Sequence, residues 1–490
     1  MISDPSERAV LDGVQSGLLM GGRWRPASSG AQFDVIDPSS GQPIAKVADG
    51  TLDDAREAIA IAASTQDAWA ATAPRVRGEV LRRAYELMIE RIEPLALLMT
   101  LEMGKPLAES RSEVEYAADF FRWFGEEAVR LAGTWATAPD GQSRLWTMKQ
   151  PIGPCLLVTP WNFPLAMGTR KLGPALAAGC TAIVKPAKQT PLSMLALAGI
   201  LMEAGLPEGV LTVLPTTDSS GVVAQLVKDP RLRKLSFTGS TEVGQSLVRQ
   251  SADRMLKLSM ELGGNAPFIV FEDADLDRAA DEAMRAKLRN NGEACTAANR
   301  FYVQETVRAE FVAKLHDRFA AITVGRGTDS AHGLGPLIDQ AAVDKVSELV
   351  AGAVSAGAVI DYAGEIPVAS GGYYFPHMIL DQVPADSRLV TEEIFGPVAP
   401  IVGFETEGQV LDWVNASDFG LASYLFTADL ARALRVSERI DAGMIGLNRG
   451  VLSNVAAPFG GTKLSGYGRE GGSEGIDEYT ETKYVAVDIS

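Results

Sequence analysis

Cys295 lies in NNGEACTAANR, among small residues where a ligand could reach a thiol. A thiolate is a strong nucleophile near neutral pH when helix dipoles or hydrogen bonds lower its pKa from roughly 8.5. Lone cysteines more often fill core space as small hydrophobes, and Cys155 and Cys180, set in apolar runs, read that way. Glu261 in MELGGNAP ends an apolar strand just before two glycines. Its carboxylate is therefore expected at the carboxyl edge of a sheet, where it could take a proton from water, unless it caps a helix or forms a surface ion pair. In SFTGSTEVG a strand runs into Gly239 and Ser240 and then into a helix containing Gly244. Free N–H groups and the helix dipole there suit a pyrophosphate, although such a turn alone is a weak signal. In TPWNFP, Asn162 follows Trp161 in a proline-braced loop; an amide held that way could steady a developing oxyanion.

These groups are far apart in the chain, so a fold must bring them together. Residues 152–271 alternate apolar runs (GPCLLVTP, CTAIVKP, GVLTVLP, KLSFTGS, LKLSMELGG, APFIVF) with helix-like segments of ten to fifteen residues. That alternation predicts an α/β architecture with a parallel, doubly wound sheet and helices on both faces. A second α/β region runs to about residue 465, opening with a helical pattern over 274–290 and continuing through PVAPIVGF, ASYLFT and GMIGLN. Before the first sheet, residues 53–130 read as long amphipathic helices over 53–70, 77–103 and 112–133. SRLWTMKQ (143–150) and TETKYVAVDI (480–489) alternate like strands outside either sheet; unpaired strands of this kind often complete a sheet in a partner subunit.

Composition narrows the classes. Of 490 residues, 46% are hydrophobic and no low-complexity tract occurs, which predicts two or three folded domains. Forty-five basic against sixty-two acidic residues give a net charge of −17, a surface that repels phosphate backbones and anionic lipid. Twenty uncharged residues separate Lys149 from Arg170, but Pro151, Pro154, Pro160 and Pro164 argue against a membrane helix. Three scattered cysteines and an N-terminus without a basic, apolar leader predict a cytoplasmic protein. His316, His332 and His377 stand singly, so no metal is expected.

The order PWNFP, KPA, FTGSTEVG, ELGG, GEAC, EEIFGP and PFGGTKLSGYGRE resembles the aldehyde dehydrogenase superfamily from about residue 20 to the C-terminus. The resemblance implies two Rossmann-like doubly wound domains plus a small β oligomerisation extension. Residues 1–130 and 152–262 would form the dinucleotide-binding domain, 263–465 the catalytic domain, and 131–151 with 466–490 the arm of a homodimer or homotetramer. It implies Cys295 as nucleophile, Asn162 with the Cys295 N–H as oxyanion donors, and Glu261 as the base that releases the acid. For the cofactor it implies Thr159, Pro160, Trp161, Lys185, Ala187, Lys188, Gly239, Ser240, Gly244, Leu262, Glu393 and Phe395, with Lys185 and Glu393 on the ribose hydroxyls.

Two positions depart from the family pattern. Glu293 replaces the usual glutamine of the nucleophile loop, placing a carboxylate two residues before the thiol, where poor screening would raise the thiol pKa. Lys188 stands where NAD-preferring members often carry an acid, and a lysine there attracts a 2′-phosphate, so NADP⁺ is expected over NAD⁺. Closest in detail is the succinate-semialdehyde dehydrogenase branch, which WNFPLAMGTRK, LRNNGEAC and GVLSNVAAPFGG resemble. By that resemblance Arg170, Arg289 and Ser453 would bind the far carboxylate of the substrate, with Phe459 beside them. Some relatives carry a second cysteine two residues after the nucleophile; Ala297 stands here, so no disulfide switch is expected. Glutarate or 2-oxoglutarate semialdehyde is the alternative substrate, and a silent scaffold protein the non-enzymatic alternative.

Overall fold

The computed structural model describes residues 4–367 and 371–488. Ile489 and the first three residues, which the readings above included, lie outside the described residues.

Five parallel strands form the heart of an eight-stranded sheet, in the spatial order Leu211–Val213, Ala182–Lys185, Cys155–Val158, Lys234–Thr238 and Lys257–Glu261. Five of the six apolar runs over residues 152–271 became these strands, whereas the sixth, APFIVF, forms Ala266–Val270 of the second sheet. Side chains alternate between the faces, as a strand dictates. Cys155 and Leu157 pack into one core cluster with the helices Ala166–Ala178 and Leu192–Glu203, while Leu156 and Val158 pack into another with Leu52–Ala71 and Ser219–Lys228. Strand order reverses between Cys155–Val158 and Lys234–Thr238, and ligand crevices in doubly wound sheets open at such a switch point. Thr159–Asn162 and Gly239–Ser240 leave from the carboxyl ends of those two strands.

The second sheet has seven strands, in the order Val359–Ala363, Met378–Asp381, Val398–Phe404, Ala298–Gln304, Ala266–Val270, Ala422–Phe426 and Met444–Leu447. All pairs are parallel except the first. Cys295 and Glu393 precede the strands Ala298–Gln304 and Val398–Phe404, so both sit at the amino edge of this sheet. Glu261 ends a strand of the first sheet, and Ala266 begins a strand of the second four residues after Leu262. The carboxyl edge of one sheet therefore faces the amino edge of the other, and the chemical residues lie in that seam.

Two expectations need correction. The helical pattern over 77–103 is not one helix but two, Pro74–Glu90 and Ile92–Met103, broken at Arg91. Pro94 has no N–H for the Glu90 carbonyl, and its ring crowds that turn. The outlying strands are not unpaired either: Ser143–Pro151 and Thr480–Asp488 pair antiparallel along their full length, and Trp135–Thr137 adds a third strand. The two partners are more than 300 residues apart in the chain, beyond the reach of local periodicity. Gly466–Tyr467 closes the edge of the first sheet beside Met260–Glu261.

Candidate active site

One cavity of about 370 Å³ is lined by Cys295, Glu261 and Asn162 together. The same walls carry Trp161, Gly239, Ser240, Leu262, Glu393 and Phe395, and also Arg170, Arg289, Ser453 and Phe459. The seam between the sheets thus collects the expected nucleophile, base, amide and most of the expected ligand contacts in one place.

Cys295 is partly exposed, whereas Cys155 and Cys180 are buried. A Cβ at position 264 would collide with the Cys295 carbonyl oxygen, so a glycine of the ELGG segment is what lets the thiol loop approach Glu261. Burial pushes the Cys295 thiol up to about 12, Arg170 pulls it back, and Glu393 and Glu261 push it further. The backbone N–H of Cys295 meets no acceptor among the described residues. Asn162 Nδ2 donates to the Glu293 carbonyl at 3.0 Å, which spends one amide hydrogen and leaves the second for the cavity.

Glu261 is neither a cap nor a surface ion pair. It is 3% exposed, and neither carboxylate oxygen receives a hydrogen bond among the described residues. Burial, then the neighbouring Glu470, raise its pKa well above the ordinary carboxylate range, against the pull of Arg170 and Lys171. A carboxyl so raised is a stronger base once ionised. Glu470 is its opposite. Burial works against its charge, yet Lys171 at 2.5 Å and Arg170 at 2.5 Å hold its pKa down to about 2.

Glu293 turns its carboxyl to the Ile338 backbone. Its Oε1 accepts from the Ile338 N–H at 3.0 Å, and its Oε2 has no hydrogen-bond partner among the described residues. Burial raises its pKa well above 4.5, only partly offset by the Ile338 bond. A protonated carboxyl there imitates the amide of the family's usual glutamine. Because the folded pKa lies above the unfolded one, the fold loses stability as pH rises from about 4.5 towards the raised value. Glu293→Gln is therefore expected to melt higher than the parent, by a margin that widens between pH 5 and 8. A margin that stays level across that range in thermal melts would show that Glu293 titrates as it does in the unfolded chain.

The substrate-side residues cluster as expected. Arg289 Nη1 lies 3.3 Å from Ser453 Oγ, and its guanidinium stands over Phe163 at 5.0 Å. Arg170 stands over Phe459 at 4.1 Å; it is paired with Glu470, but its Nη2 has no hydrogen-bond partner among the described residues. Tyr116, from the helix Leu107–Glu127, joins them with a buried hydroxyl beside Arg170 and Ser453 that makes no hydrogen bond of good geometry among the described residues. No sequence signal marked Tyr116, since a tyrosine on an amphipathic helix reads as packing. Lys345, Lys171 and Glu470 were likewise missed, although the last two sit beside Arg170 and Arg469 in segments already singled out.

On the cofactor side, Trp161 and Phe395 meet edge to face at 5.4 Å, and Phe395 takes a left-handed backbone (φ 58) that turns its ring into the cavity wall. Ser240 caps the helix Thr241–Ser251, its Oγ accepting from Val243 N at 3.4 Å. Glu393 Oε1 accepts from Gly264 N at 3.0 Å, and Oε2 receives no bond among the described residues. A switch-point crevice, an open helix N-terminus and a carboxylate oxygen free for a hydroxyl fit a dinucleotide. Thr159, Lys185, Ala187, Lys188 and Gly244 do not line this cavity. The Thr159 N–H bonds the Lys185 carbonyl at 3.2 Å and so ties two strand ends together. Lys185 Nζ is 3.0 Å from Ser219 Oγ, and burial brings the amine down to about 8. Ala187 is buried and Lys188 is exposed. Gly244 lets its helix pack on Leu262, where a Cβ would collide.

The chain matches the aldehyde dehydrogenase family over residues 24–485. It belongs to that family. A succinate-semialdehyde dehydrogenase of Paenarthrobacter nicotinovorans is 55% identical over 91% of this chain and 98% of its own length. A glutarate-semialdehyde dehydrogenase of Pseudomonas aeruginosa is 48% identical, covering 95% of this chain and 96% of its own. A crystal structure described as an E. coli NADP-dependent enzyme superposes with a TM-score of 0.96 at 44% identity, covering 100% of both chains. The two sheets and the seam between them are thus the aldehyde dehydrogenase architecture, and the chain is an NAD(P)-dependent aldehyde dehydrogenase.

Proposed function

We propose that this aldehyde dehydrogenase oxidises succinate semialdehyde to succinate, with NADP⁺ preferred over NAD⁺. The observation that carries the reading is a single cavity holding a thiol, a carboxylate whose oxygens receive no hydrogen bond among the described residues, and two arginines. In the proposed reaction Cys295 gives its thiol proton to water, its sulfur bonds the aldehyde carbon, and the carbonyl electron pair passes to the oxygen. The resulting oxyanion meets the second Asn162 amide hydrogen and the free Cys295 N–H, two donors fixed before the charge appears. Trp161, Ser240, Glu393 and Phe395 would hold the dinucleotide, which would supply the hydride acceptor needed to leave a thioester on Cys295. Glu261 then takes a proton from water, the hydroxyl oxygen attacks the thioester carbon, and the C–S bond breaks to release the acid and the thiolate.

A semialdehyde's far carboxylate would be met by Arg289, Ser453, the free Nη2 of Arg170 and the Tyr116 hydroxyl. Because Glu470 already neutralises part of Arg170, Arg289 carries most of the charge recognition. Losing one such desolvated contact costs about 2–5 kcal/mol, so Arg289→Leu is expected to lower kcat/KM for succinate semialdehyde by roughly a hundredfold or more while leaving butanal within a fewfold. Equal losses on both aldehydes would remove the carboxylate from the account. The high identity to the Pseudomonas aeruginosa enzyme keeps glutarate semialdehyde as the second reading, and kcat/KM for the four- and five-carbon substrates side by side decides between them.

Lys188 is exposed on the segment that leaves the strand Ala182–Lys185 beside the switch point. A hydrogen bond from a charged donor contributes about 1.5–3 kcal/mol, less when exposed. Lys188→Ala is accordingly expected to lower kcat/KM for NADP⁺ about tenfold and to leave NAD⁺ unchanged. Comparable values for both cofactors in the parent, unmoved by the substitution, would contradict the preference. The arm supports a homodimer or homotetramer: its edge strand Trp135–Thr137 is exposed throughout, with Trp135 at 62%, and unpaired edge groups invite another chain. Three free cysteines are in keeping with the reducing cytoplasm.

A further inference from the structure

The two oxyanion donors proposed above come from loops about 130 residues apart in the chain, and something must fix their separation. Asn290 lies where the loops meet. It is fully buried, and it sits in the left-handed backbone region (φ 56, ψ 41) just before the nucleophile loop. Its Nδ2 donates to the Asn162 carbonyl at 3.0 Å and to the Glu293 carbonyl at 2.9 Å. The Asn162 side chain donates to that same Glu293 carbonyl at 3.0 Å. Both hydrogens of one planar amide are thereby spent on the two loops, which fixes the amide plane and the gap it spans.

The main chain of Asn290 is anchored in turn. Its N–H donates to Glu109 Oε2 at 2.7 Å, and its carbonyl accepts from Glu293 N at 2.9 Å. The Asn162 carbonyl is also held by Lys105 Nζ at 2.8 Å, itself paired with Glu113.

We infer that Asn290 is a positioning residue for the oxyanion site: its side-chain amide sets the distance and angle between Asn162 and the Cys295 peptide, and it touches neither substrate nor cofactor. The inference rests on the roles given above to Cys295 and Asn162. Oxyanion donors act only when they sit within hydrogen-bond range of the oxygen as its charge develops, and losing one such donor costs about 10²–10³ in rate. Only the amide, and not the backbone turn, is required for this role. Few residues adopt a positive φ cheaply, and glycine and asparagine are the readiest.

Asn290→Gly therefore keeps the turn and deletes the bridge. In stopped-flow mixing of the full-length enzyme with NADP⁺ and succinate semialdehyde, the first turnover of NADPH is expected to slow about a hundredfold. The KM for NADP⁺ should stay within about twofold, because the cofactor walls are untouched. Alkylation of Cys295 by iodoacetamide, which builds no oxyanion, should likewise stay within about twofold. Asn290→Asp keeps the shape and the turn but replaces the donor with an acceptor facing two carbonyls, and it should be at least as slow. A first turnover in Asn290→Gly within threefold of the parent would overturn the inference. So would acylation and alkylation falling together in both variants, which would mark a collapsed loop. A parent that forms no NADPH with any semialdehyde overturns the functional reading, and this inference with it; an active parent with an equally fast Asn290→Gly overturns this inference alone.

Discussion

Cys295→Ala is expected to lower aldehyde oxidation by roughly 10⁴-fold or more, as removal of a covalent nucleophile does elsewhere. No other group can take over its part. The remaining thiols, Cys155 and Cys180, are 0% exposed and lie in the core of the first sheet. Iodoacetamide should label one thiol per native chain in the parent and none in the variant. Labelling of the parent should quicken with rising pH well beyond the range of an ordinary thiol, since the pKa of about 12 leaves little thiolate at neutrality. The variant should bind NADP⁺ as the parent does, because Trp161, Ser240 and Glu393 are unchanged. Residual turnover above a hundredth of the parent's would mean that the thiol is not the group that attacks.

Glu261→Gln should separate the two halves of the reaction. Loss of a general base costs about 10²–10⁴-fold, and here the loss should fall on thioester hydrolysis. One equivalent of NADPH should therefore appear rapidly and be followed by slow steady turnover. Its pH dependence has a definite sign. With the pKa of Glu261 raised by burial and by Glu470, the parent's kcat should fall as pH drops through that raised value, and the glutamine variant should lose this acid limb. Removing the carboxylate also removes one of the charges that push the Cys295 thiol up, so above the raised pKa of Glu261 alkylation of the thiol should become faster. A variant without an initial NADPH burst would place Glu261 in the first half of the reaction instead.

Much of the molecule was legible in its residue order. The runs CLLV, AIVK, LTV and KLSFT are short, apolar and bounded by turns or helices, and each became a strand of the first sheet with its fully buried pattern. Glu261 at a strand end, and Cys295 and Asn162 in loops at sheet edges, followed from the same local patterns, and the motifs that carry the family resemblance span those turns. Local pattern determines which element forms and which end of it a residue occupies, because backbone sterics and side-chain alternation act over a few residues.

Tertiary structure decided what those groups meet. Whether Glu293 faces the thiol or Ile338, whether Arg170 is free or bound to Glu470, and whether Tyr116 reaches the cavity depend on elements that are 45 to 300 residues away in the chain. The pairing of Ser143–Pro151 with Thr480–Asp488 is of the same kind. Burial and neighbouring charge, which set the pKa values of Cys295, Glu261 and Glu470, exist only once the edges of the two sheets face each other.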